Sequence, residues 1–363
     1  MEKKSSNKNL HDAGTAKKDE FYTQLADIEN ELKHYKDQFR GKVVFCNCDD
    51  PKESNFVKYF SRNFEHLGLK KLIATHYKDA NLFTHESPYK LEYTGDKNGN
   101  RMPDPDEFMT KMIGTGDFRS EECIELLKEA DIVVTNPPFS LFREFLAQLI
   151  EYNKKFLIIG NVNAITYREC FKIIKDNKMW LGASIHSGDR EFQVPDDYPL
   201  NAAGSRIDSD GKKYIRVKGV RWFTNLDYEE RHENLVLYKK YTSEEYPKYD
   251  NYDAINVDKT ADIPMDYKGV IGVPITFLDR YNPGQFEIIG LGNSRDNFTP
   301  SKDYKNPYKI MGDGEKKNGN AINCVLAIES QIKPDDIYYI SDNSKYLIAP
   351  YARVLIRNKK IKK

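Results

Sequence analysis

Residues 135–139, with the sequence TNPPF, combine side-chain and backbone groups that suit the binding of a planar amine. They follow the apolar run DIVV and precede the amphipathic run LFREFLAQLIEY, which predicts a strand before them and a helix after them. Pro137 and Pro138 have no backbone N–H to donate to a sheet, so the strand must end there. The groups left at its end are the Asn136 amide, free backbone carbonyls and the Phe139 ring.

These groups have the chemistry needed to make an aromatic amine reactive toward a methyl donor. Such an amine is a poor nucleophile because its lone pair is delocalised into the ring. Two acceptors aimed at its N–H bonds draw the nitrogen toward a tetrahedral geometry and localise that lone pair. The side-chain carbonyl of Asn136 and the backbone carbonyl of Pro137 are such acceptors, held rigid by the prolines. Phe139 is placed to stack on the ring that carries the amine. In-line approach of the donor would then make positioning the main source of rate.

The tetrapeptide does not fix the substrate. The amines of adenine, cytosine and a glutamine side chain all fit this chemistry. A simple proline turn, with Phe139 as a core residue, is the alternative interpretation of the same residues.

Strands and helices alternate on both sides of residues 136–139, here called the corner. Apolar strands are predicted at KVVFCN, KKLIATHY, DIVVTN and KFLIIGN, with amphipathic helices at ESNFVKYFSRNFEHLG, SEECIELLKEA and LFREFLAQLIEY. A further helix is predicted over residues 19–39. This pattern indicates βαβ units and a mostly parallel sheet with helices on both faces. Ligands of such sheets lie at the C-terminal ends of the strands, where Asp49, Asp50, Asp117 and Asn136 fall.

The rest of the chain has a different character. MWLGASI and VRWFTNLD are predicted as two more strands, joined by a long polar loop over residues 186–219, with Trp222 or Phe223 in the core. From about residue 246 the helical rhythm ends and short strands alternate with Tyr, Asn, Pro and Gly. The sequence therefore predicts a flexible tail over residues 1–19, a catalytic domain over 20–245, and an irregular β-rich region over 246–363.

Composition limits the class of protein. The 363 residues are 39% hydrophobic and 31% charged, with no apolar run long enough to span a bilayer, so we expect a soluble globular protein without a membrane partner. The formal net charge is zero, which gives no overall attraction to nucleic acid but leaves room for one basic face. The five cysteines lack the spacing of a zinc site, so no metal is expected, and a reducing, cytoplasmic location fits.

Seven segments, in order from about residue 19 to residue 357, resemble the EcoRI-type adenine-specific DNA methyltransferases. They are DEFYTQLADIENELKHY, GKVVFCNCDDPKESNFVKYF, GDFRS, TNPPFSLFREF, GVRWFTNLDY, GVIGVPITFLDRYNPGQFEIIG and YARVLIR. The resemblance implies a Rossmann-like catalytic domain followed by a target-recognition region. It also implies S-adenosylmethionine as methyl donor and an adenine in duplex DNA as substrate. A cognate restriction endonuclease, acting on the same site without a stable complex, is a further implied partner.

The resemblance also implies roles for individual residues. Asn136 and Pro137 would hold the amine, and Phe139 would stack on the flipped base. The residues expected around the donor are Phe21, Tyr22, Thr23, Asn47, Asp49, Asp50, Ser54, Asp117 and Phe118. Two features depart from the wider methyltransferase pattern: the first strand leads into CNCDDP with no glycine, and the second strand ends in THY without an acid. An ordinary turn and helix start is the alternative interpretation of residues 49–51.

An adenine inside a duplex must swing out to reach such a site. A second ring opposite Phe139 would help to hold it, and Phe192 in the predicted 186–219 loop is preferred over Tyr198. Asn293, Arg295 and Asn297 have donors and acceptors that suit base edges.

Two other functions remain open from the residues alone. The same corner would serve an enzyme that methylates RNA or a protein glutamine, and a methyltransferase frame can also act as a DNA-binding module without catalysis. A DNA methyltransferase of this kind would be the modification enzyme of a restriction-modification system or an orphan methylase.

Overall fold

The computed structural model describes residues 21–77, 88–96, 108–196, 198, 200, 204–296, 298–341 and 345–361. The fold is mixed α/β, and its contacts divide the chain into two compact units. The first unit comprises Met1–Ala164 and Met179–Tyr228, and the second comprises Ile165–Lys178 and Glu229–Lys363. These units are defined by contacts alone, so the functional boundaries after residues 19 and 245 stay a prediction.

The α-helices described in the first unit are short. They are α1 (Leu25–Leu32), α2 (Asn55–Arg62), α3 (Phe64–Leu67), α4 (Glu121–Glu129) and α5 (Phe142–Glu151). The helix predicted over 19–39 is confirmed only in part, because after α1 the chain forms a 3₁₀ turn at Lys36–Phe39. Ser54 begins α2, where its side-chain oxygen accepts a hydrogen bond from the Phe56 N–H. Gly68 ends α3 at φ +63°, a left-handed conformation that suits glycine.

The strands of the first unit extend from the start of the described chain to residue 224. They are β1 (Tyr22–Thr23), β2 (Val43–Cys46), β3 (Lys71–Thr75), β4 (Tyr89–Tyr93), β5 (Met109–Lys111), β6 (Ile132–Thr135), β7 (Lys155–Asn161), β8 (Trp180–Leu181), β9 (Asp189–Val194), β10 (Arg206–Ile207), β11 (Lys213–Lys218) and β12 (Val220–Thr224). They form two sheets.

The larger sheet has eight strands in the order β5-β4-β3-β2-β6-β7-β12-β8. Its central strands β3, β2, β6 and β7 are parallel, whereas the strands on either side pair antiparallel. Every residue of β2 and β6 is buried, as continuous apolar runs predict. The alternation of strands and helices is confirmed at the centre. The sheet as a whole is mixed and not mostly parallel. The sequence did not reveal this, because antiparallel strands need no crossover helix and leave no alternation of strands and helices.

Helices cover both faces of this sheet. Trp222 and Phe223, consecutive residues of β12, have no exposed surface, so both belong to the core. Trp222 contacts Phe56 of α2, with 6.0 Å between ring centroids, and Phe223 contacts Phe142 of α5, with 5.0 Å. Because consecutive side chains of a strand point to opposite faces, α2 and α5 lie on opposite faces of the sheet.

The second sheet of this unit has four antiparallel strands in the order β1-β9-β11-β10. The prediction of a polar loop over residues 186–219 is therefore wrong. In β9 and β11 the buried residues Phe192, Val194, Ile215 and Val217 alternate with less buried, mostly charged ones. This period of two marks half-buried strands, but the many charged residues hid it in the sequence.

The second unit is rich in strands. It contains one described α-helix, α6 (Arg168–Lys175). Its strands are β13 (Ala254–Asn256), β14 (Val270–Pro274), β15 (Phe286–Leu291), β16 (Tyr308–Ile310), β17 (Lys316–Asn318), β18 (Ile328–Ser330), β19 (Tyr338–Ile340), β20 (Tyr346–Ile348) and β21 (Arg353–Asn358). They form a sheet of order β13-β14-β21-β15 and an antiparallel one of order β17-β16-β19-β20-β18. The β-rich character predicted after residue 246 is confirmed. Within the described residues, no helix is both long and apolar enough to cross a bilayer.

Candidate active site

The C-terminal ends of three adjacent parallel strands bring the predicted site residues together. Asn136 follows β6, Asp49 lies just beyond β2, and His76 follows β3. Two hydrogen bonds connect these ends: the Asp49 N–H donates to the Thr75 carbonyl at 2.9 Å, and the Thr135 hydroxyl donates to Asp49 Oδ2 at 2.5 Å. Ligands of parallel sheets bind at this edge, and Asn136 and Asp49 lie there as the sequence predicted.

The Asn136 amide is buried, with one end paired and the other open. Only 6% of this residue is exposed. Its Nδ2 donates to the Phe21 carbonyl at 2.6 Å, and since a carbonyl can only accept, this contact fixes which end of the amide is the NH₂. Its Oδ1 is buried and has no hydrogen-bond partner among the residues that the structure describes. A buried acceptor without a donor is unfavourable, so Oδ1 is poised for an N–H supplied by a ligand.

The prolines and Phe139 complete the corner. Pro137 is buried, and the Pro138 carbonyl accepts from the Leu141 N–H at 3.0 Å, which starts a 3₁₀ turn at Phe139–Leu141. Phe139 is partly exposed and contacts the Phe21 ring, with 5.8 Å between centroids and an interplanar angle of 88°. Phe139 is therefore a partly exposed ring beside Phe21, the residue whose carbonyl holds the Asn136 amide.

Phe192 does not lie in a loop. It is part of β9, only 1% of it is exposed, and its ring is 5.8 Å from Phe21 and 6.4 Å from Phe139 between centroids. Tyr198, the less favoured candidate, is also buried, 6.2 Å from Phe21. Stacking of Phe192 on a base stays a prediction, and it would require this ring to become uncovered.

Asp49 is a buried carboxylate with several donors. Ser54 Oγ donates to Oδ1 at 2.7 Å, the Thr135 hydroxyl donates to Oδ2, and the Asn136 backbone N–H donates as well. Burial raises the pKa of Asp49 to about 6, because desolvation of the charged form outweighs these hydrogen bonds. Asp49 is thus ionised at neutral pH and protonated in mild acid.

Asp50 points to different partners. Its Oδ1 accepts from the Tyr89 hydroxyl at 2.9 Å and from the Lys52 N–H at 2.8 Å, and its Oδ2 lies 3.8 Å from His76 Nε2. Burial, and then the charge of Asp50, raise the pKa of Tyr89, so its hydroxyl keeps its proton. Tyr89 and His76 were missed in the sequence, where nothing links the polar segment of Tyr89 to residue 50.

Two more buried polar groups lack partners near this edge. Asn47, which directly follows β2, is 1% exposed, and neither atom of its amide has a hydrogen-bond partner among the described residues. Thr23 is 3% exposed, and its hydroxyl has no partner in the part of the chain that the structure describes. The Thr23 carbonyl accepts from Asn55 Nδ2 at 2.8 Å, which ties β1 to the start of α2. Asn47 and Thr23 thus offer donors and acceptors to a polar ligand.

The GDF segment lies beside the end of β3. Gly116 has φ +74°, and a Cβ there would lie 1.9 Å from the His76 carbonyl, so only glycine fits. Asp117 Oδ2 accepts from Arg119 Nη2 at 2.6 Å, and hydrogen bonds from Arg119 hold the pKa of Asp117 below its usual value. Phe118 is buried against Phe145, with 5.1 Å between centroids. Contact of Asp117 and Phe118 with the donor therefore stays a prediction.

The residues predicted to read bases lie in the second unit, except that Asn297 falls outside the described residues. Asn293 Oδ1 accepts from the Arg295 N–H at 2.9 Å, a local turn contact. The Arg295 side chain is exposed, and its Nη1 donates to Thr166 Oγ1 at 3.0 Å. Thr166 was missed because it is 129 residues away in the chain, and no local pattern reports such a contact.

Known proteins resemble this chain along most of its length. Residues 9–359 match the family described as adenine-specific methyltransferase EcoRI. The chain belongs to this family. The resemblance carried by the seven segments is thereby confirmed, and the protein is an adenine-specific DNA methyltransferase.

Relatives of this methyltransferase are Type II enzymes. It is 53% identical over 315 residues to the Type II methyltransferase M.EcoRI of Escherichia coli, covering 85% of this chain and 96% of that one. It is 43% identical to M.MgeORF184P of Mycoplasma genitalium over 76% of this chain and 84% of the relative. With M.MpnI of Mycoplasma pneumoniae the identity is 41%, over 76% and 83% respectively. No solved structure was found to match the methyltransferase.

Proposed function

We propose that this methyltransferase transfers a methyl group from S-adenosylmethionine to the N6 amine of an adenine flipped out of duplex DNA. The observation that carries the proposal is the buried Asn136 Oδ1, which has no donor within the described part of the chain and whose orientation is fixed by the Phe21 carbonyl. The biological role is that of the modification enzyme of a restriction-modification system, or of an orphan methylase acting alone.

In this proposal the chain's own groups prepare the amine. Asn136 Oδ1 and the Pro137 carbonyl, together called the clamp, each accept one N–H of the adenine amine, which localises the nitrogen lone pair. Both acceptors are neutral oxygens, so they hold the amine protons without removing them before transfer. Asn136 cannot rotate its amide without losing its hydrogen bond to Phe21, so the acceptor is in place before the base arrives.

The donor would bind on the β1 and β2 side of the clamp. When bound, S-adenosylmethionine supplies an electrophilic methyl group on a positively charged sulfur. It also carries amino, carboxylate and hydroxyl groups, which require acceptors and donors from the protein. The unpartnered Asn47 amide and Thr23 hydroxyl fit this requirement, with Phe21 and Tyr22 closing one side. Asp50, Ser54, Asp117 and Phe118 are proposed to border the donor without a glycine-rich loop.

Replacing Asn47 with alanine should weaken donor binding by about tenfold, since that is the order of one or two lost hydrogen bonds. The thermal midpoint of the ligand-free protein should change little, because neither amide atom bonds to any described residue. Isothermal titration calorimetry and thermal unfolding measure the two quantities. Asn225→Ala is the matched control: its amide accepts from the Phe156 N–H and donates to the Lys154 carbonyl, so it should lower stability and leave donor affinity unchanged. Unchanged donor affinity in Asn47→Ala would remove this role.

The duplex must release its base, which costs a few kcal/mol of stacking and pairing. Phe139, partly exposed beside the clamp, is proposed to recover part of that cost by stacking. The β-rich second unit is proposed as the target-recognition region, with the exposed Arg295 and the half-buried Asn293 among the groups that contact DNA.

The test is transfer of labelled methyl groups from S-adenosylmethionine to duplex DNA by the purified chain. Mass spectrometry should find N6-methyladenine, and sequencing of methylated adenines in an expressing host should give one short site. Label in RNA or in protein glutamine, with none in DNA, would overturn the proposal in favour of the corresponding amine methyltransferase. Duplex binding without donor binding would indicate a non-catalytic DNA-binding module.

A further inference from the structure

We propose that Asp49 is a positioning residue for the amine clamp, acting through Thr135 and the backbone of Asn136. This inference rests on the proposed function, because it concerns how the acceptor for the amine is held. It assigns Asp49 to the clamp, and not to the donor pocket where the resemblance would place it.

The contacts of Asp49 converge on the residues that form the clamp. Its Oδ2 accepts from the hydroxyl of Thr135, which is fully buried, and the carboxylate also accepts the N–H of Asn136. These donors lie on consecutive residues, one on a side chain and the other on the backbone. Together they fix the peptide unit that joins β6 to Asn136, from which the amide side chain projects.

The other carboxylate oxygen is anchored on the opposite side. Oδ1 accepts from the Ser54 hydroxyl at 2.7 Å, and Ser54 in turn accepts the N–H of Phe56 at the start of α2. The next residue, Asn55, holds the Thr23 carbonyl of β1. Both oxygens of Asp49 are therefore already hydrogen-bonded within the protein. The carboxylate connects the clamp to the helix start that also holds β1.

Only a carboxylate can make this set of contacts. Ser54 and Thr135 donate to different oxygens, and the Asn136 N–H is a third donor. An asparagine at residue 49 would present one oxygen and one NH₂, so it would lose an acceptor on one side. Hydrogen bonds to an ionised acceptor are also stronger than those to a neutral one.

Protonation gives a way to test this arrangement without a mutation. Burial raises the pKa of Asp49 to about 6, so the carboxylate gains a proton as the pH falls through that value and can no longer accept all its donors. The titratable groups around it are Cys46, whose thiol pKa burial raises, then Asp50, and beyond Asp50 the side chains Lys58, His76 and Tyr89.

Stability should move in the opposite direction to rate. The folded-state pKa of Asp49 is raised above that of an ordinary carboxyl, so its protonation favours the folded state. The stability from this group is present at low pH and is lost as the pH rises through about 6. A fall in rate between pH 7 and 5 is therefore not a sign that Asp49 destabilises the fold on protonation.

The experiment measures the single-turnover rate of methyl transfer with saturating donor and duplex DNA. We expect Asp49→Asn to lower this rate about tenfold and Thr135→Val about fivefold, less than the 10²-fold that a misplacement of about 1 Å can cost. Thr135→Ser, which keeps the hydroxyl, should restore the rate to within about twofold of the wild type. Donor affinity should stay within about threefold in all three, since none of these groups is proposed to bind the donor.

Glu31→Gln is the matched control for the loss of a buried carboxylate. Glu31 has no exposed surface and accepts from the Tyr35 hydroxyl at 2.7 Å and from the N–H groups of Ala183 and Ser184 at 2.8 and 2.7 Å. This variant should lower the thermal midpoint and leave the single-turnover rate unchanged. If it slowed transfer as much as Asp49→Asn, the effect would be one of general stability.

A pH profile of the same rate completes the test. The wild-type rate should fall as the pH drops through about 6 and level off about tenfold lower, near the rate of Asp49→Asn, and this inflection should be absent in Asp49→Asn. Wild-type rates in Asp49→Asn and Thr135→Val, or an inflection that persists in Asp49→Asn, would overturn the inference. Loss of donor affinity with an unchanged saturated rate would return Asp49 to the donor pocket. Failure of the proposed function is distinct, because then the wild-type chain itself would methylate no adenine.

Discussion

Replacing Asn136 with alanine is expected to lower the rate of methyl transfer by at least about 10³-fold, because loss of one preorganised hydrogen-bonding group costs about 10²–10³-fold and here the second acceptor also loses its geometry. The variant removes Asn136 Oδ1, which is buried, oriented by the Phe21 carbonyl and without a partner among the described residues. Donor affinity should stay within about threefold, since Asn136 is proposed to act on the amine alone. Single-turnover kinetics and calorimetry with S-adenosylmethionine separate the two effects.

The fold should tolerate this change. Asn136 makes one side-chain hydrogen bond that matters for the fold, from Nδ2 to the Phe21 carbonyl, and a single such bond contributes about 1 kcal/mol. Asn136→Asp is the matched variant, because it keeps an acceptor oxygen but places a carboxylate against the Phe21 carbonyl. It should transfer methyl groups faster than Asn136→Ala and more slowly than the wild type. Equal rates in the wild type and Asn136→Ala would show that the amide is no part of the clamp.

The parts of the fold that the sequence could predict are those that depend on local rules. β2, β3, β6 and β7 appear as apolar runs because strands at the centre of a sheet are buried on both faces. The end of β6 is marked by prolines that cannot join a sheet, and the end of α3 by Gly68. Each of these signals lies within a few residues of the feature that it predicts.

The small sheet of β1, β9, β11 and β10 escaped prediction for a physical reason. Its strands are half buried, so mainly alternate residues are apolar, and charged residues such as Glu191, Arg216 and Lys218 fill other positions. Its edge strands span two residues each, too short for any periodicity. Phe192 consequently seemed to be a loop aromatic, although it lies in the core beside Phe21.

The candidate site also has a part that local sequence predicts and a part that it does not. The clamp could be predicted because Asn136, Pro137 and Phe139 are adjacent in the chain. The contacts that orient it could not, since Phe21 lies 115 residues from Asn136 and Asp49 lies 86 residues from Thr135. The resemblance placed Phe21 near the donor, but the role of its carbonyl in fixing the amide emerges only from the tertiary structure. Unpartnered atoms such as Asn136 Oδ1 and the Asn47 amide are likewise invisible until burial is known.

The second large effect is expected for Phe139→Ala, which should slow methyl transfer by about 10²-fold while changing duplex affinity by less than about threefold. Stacking of a base on an aromatic ring contributes about 1–3 kcal/mol, and here it acts only after the adenine has left the duplex. Most of the affinity for DNA comes from phosphate contacts made before flipping, so binding should be nearly unaffected. A duplex with 2-aminopurine at the target position reports flipping directly, and its fluorescence gain on binding should be reduced in the variant.

Two further variants distinguish stacking from simple packing. Phe139→Trp keeps an aromatic face and should retain most of the rate, whereas Phe139→Leu keeps an apolar side chain without that face and should resemble the alanine variant. Phe192→Ala provides the contrast, because a fully buried ring supports the core and its loss should cost about 3–5 kcal/mol of stability. Loss of the partly exposed Phe139 ring should cost much less stability. If Phe139→Ala weakened duplex binding as strongly as it slowed transfer, the ring would contact DNA before flipping, and the stacking role would have to be abandoned.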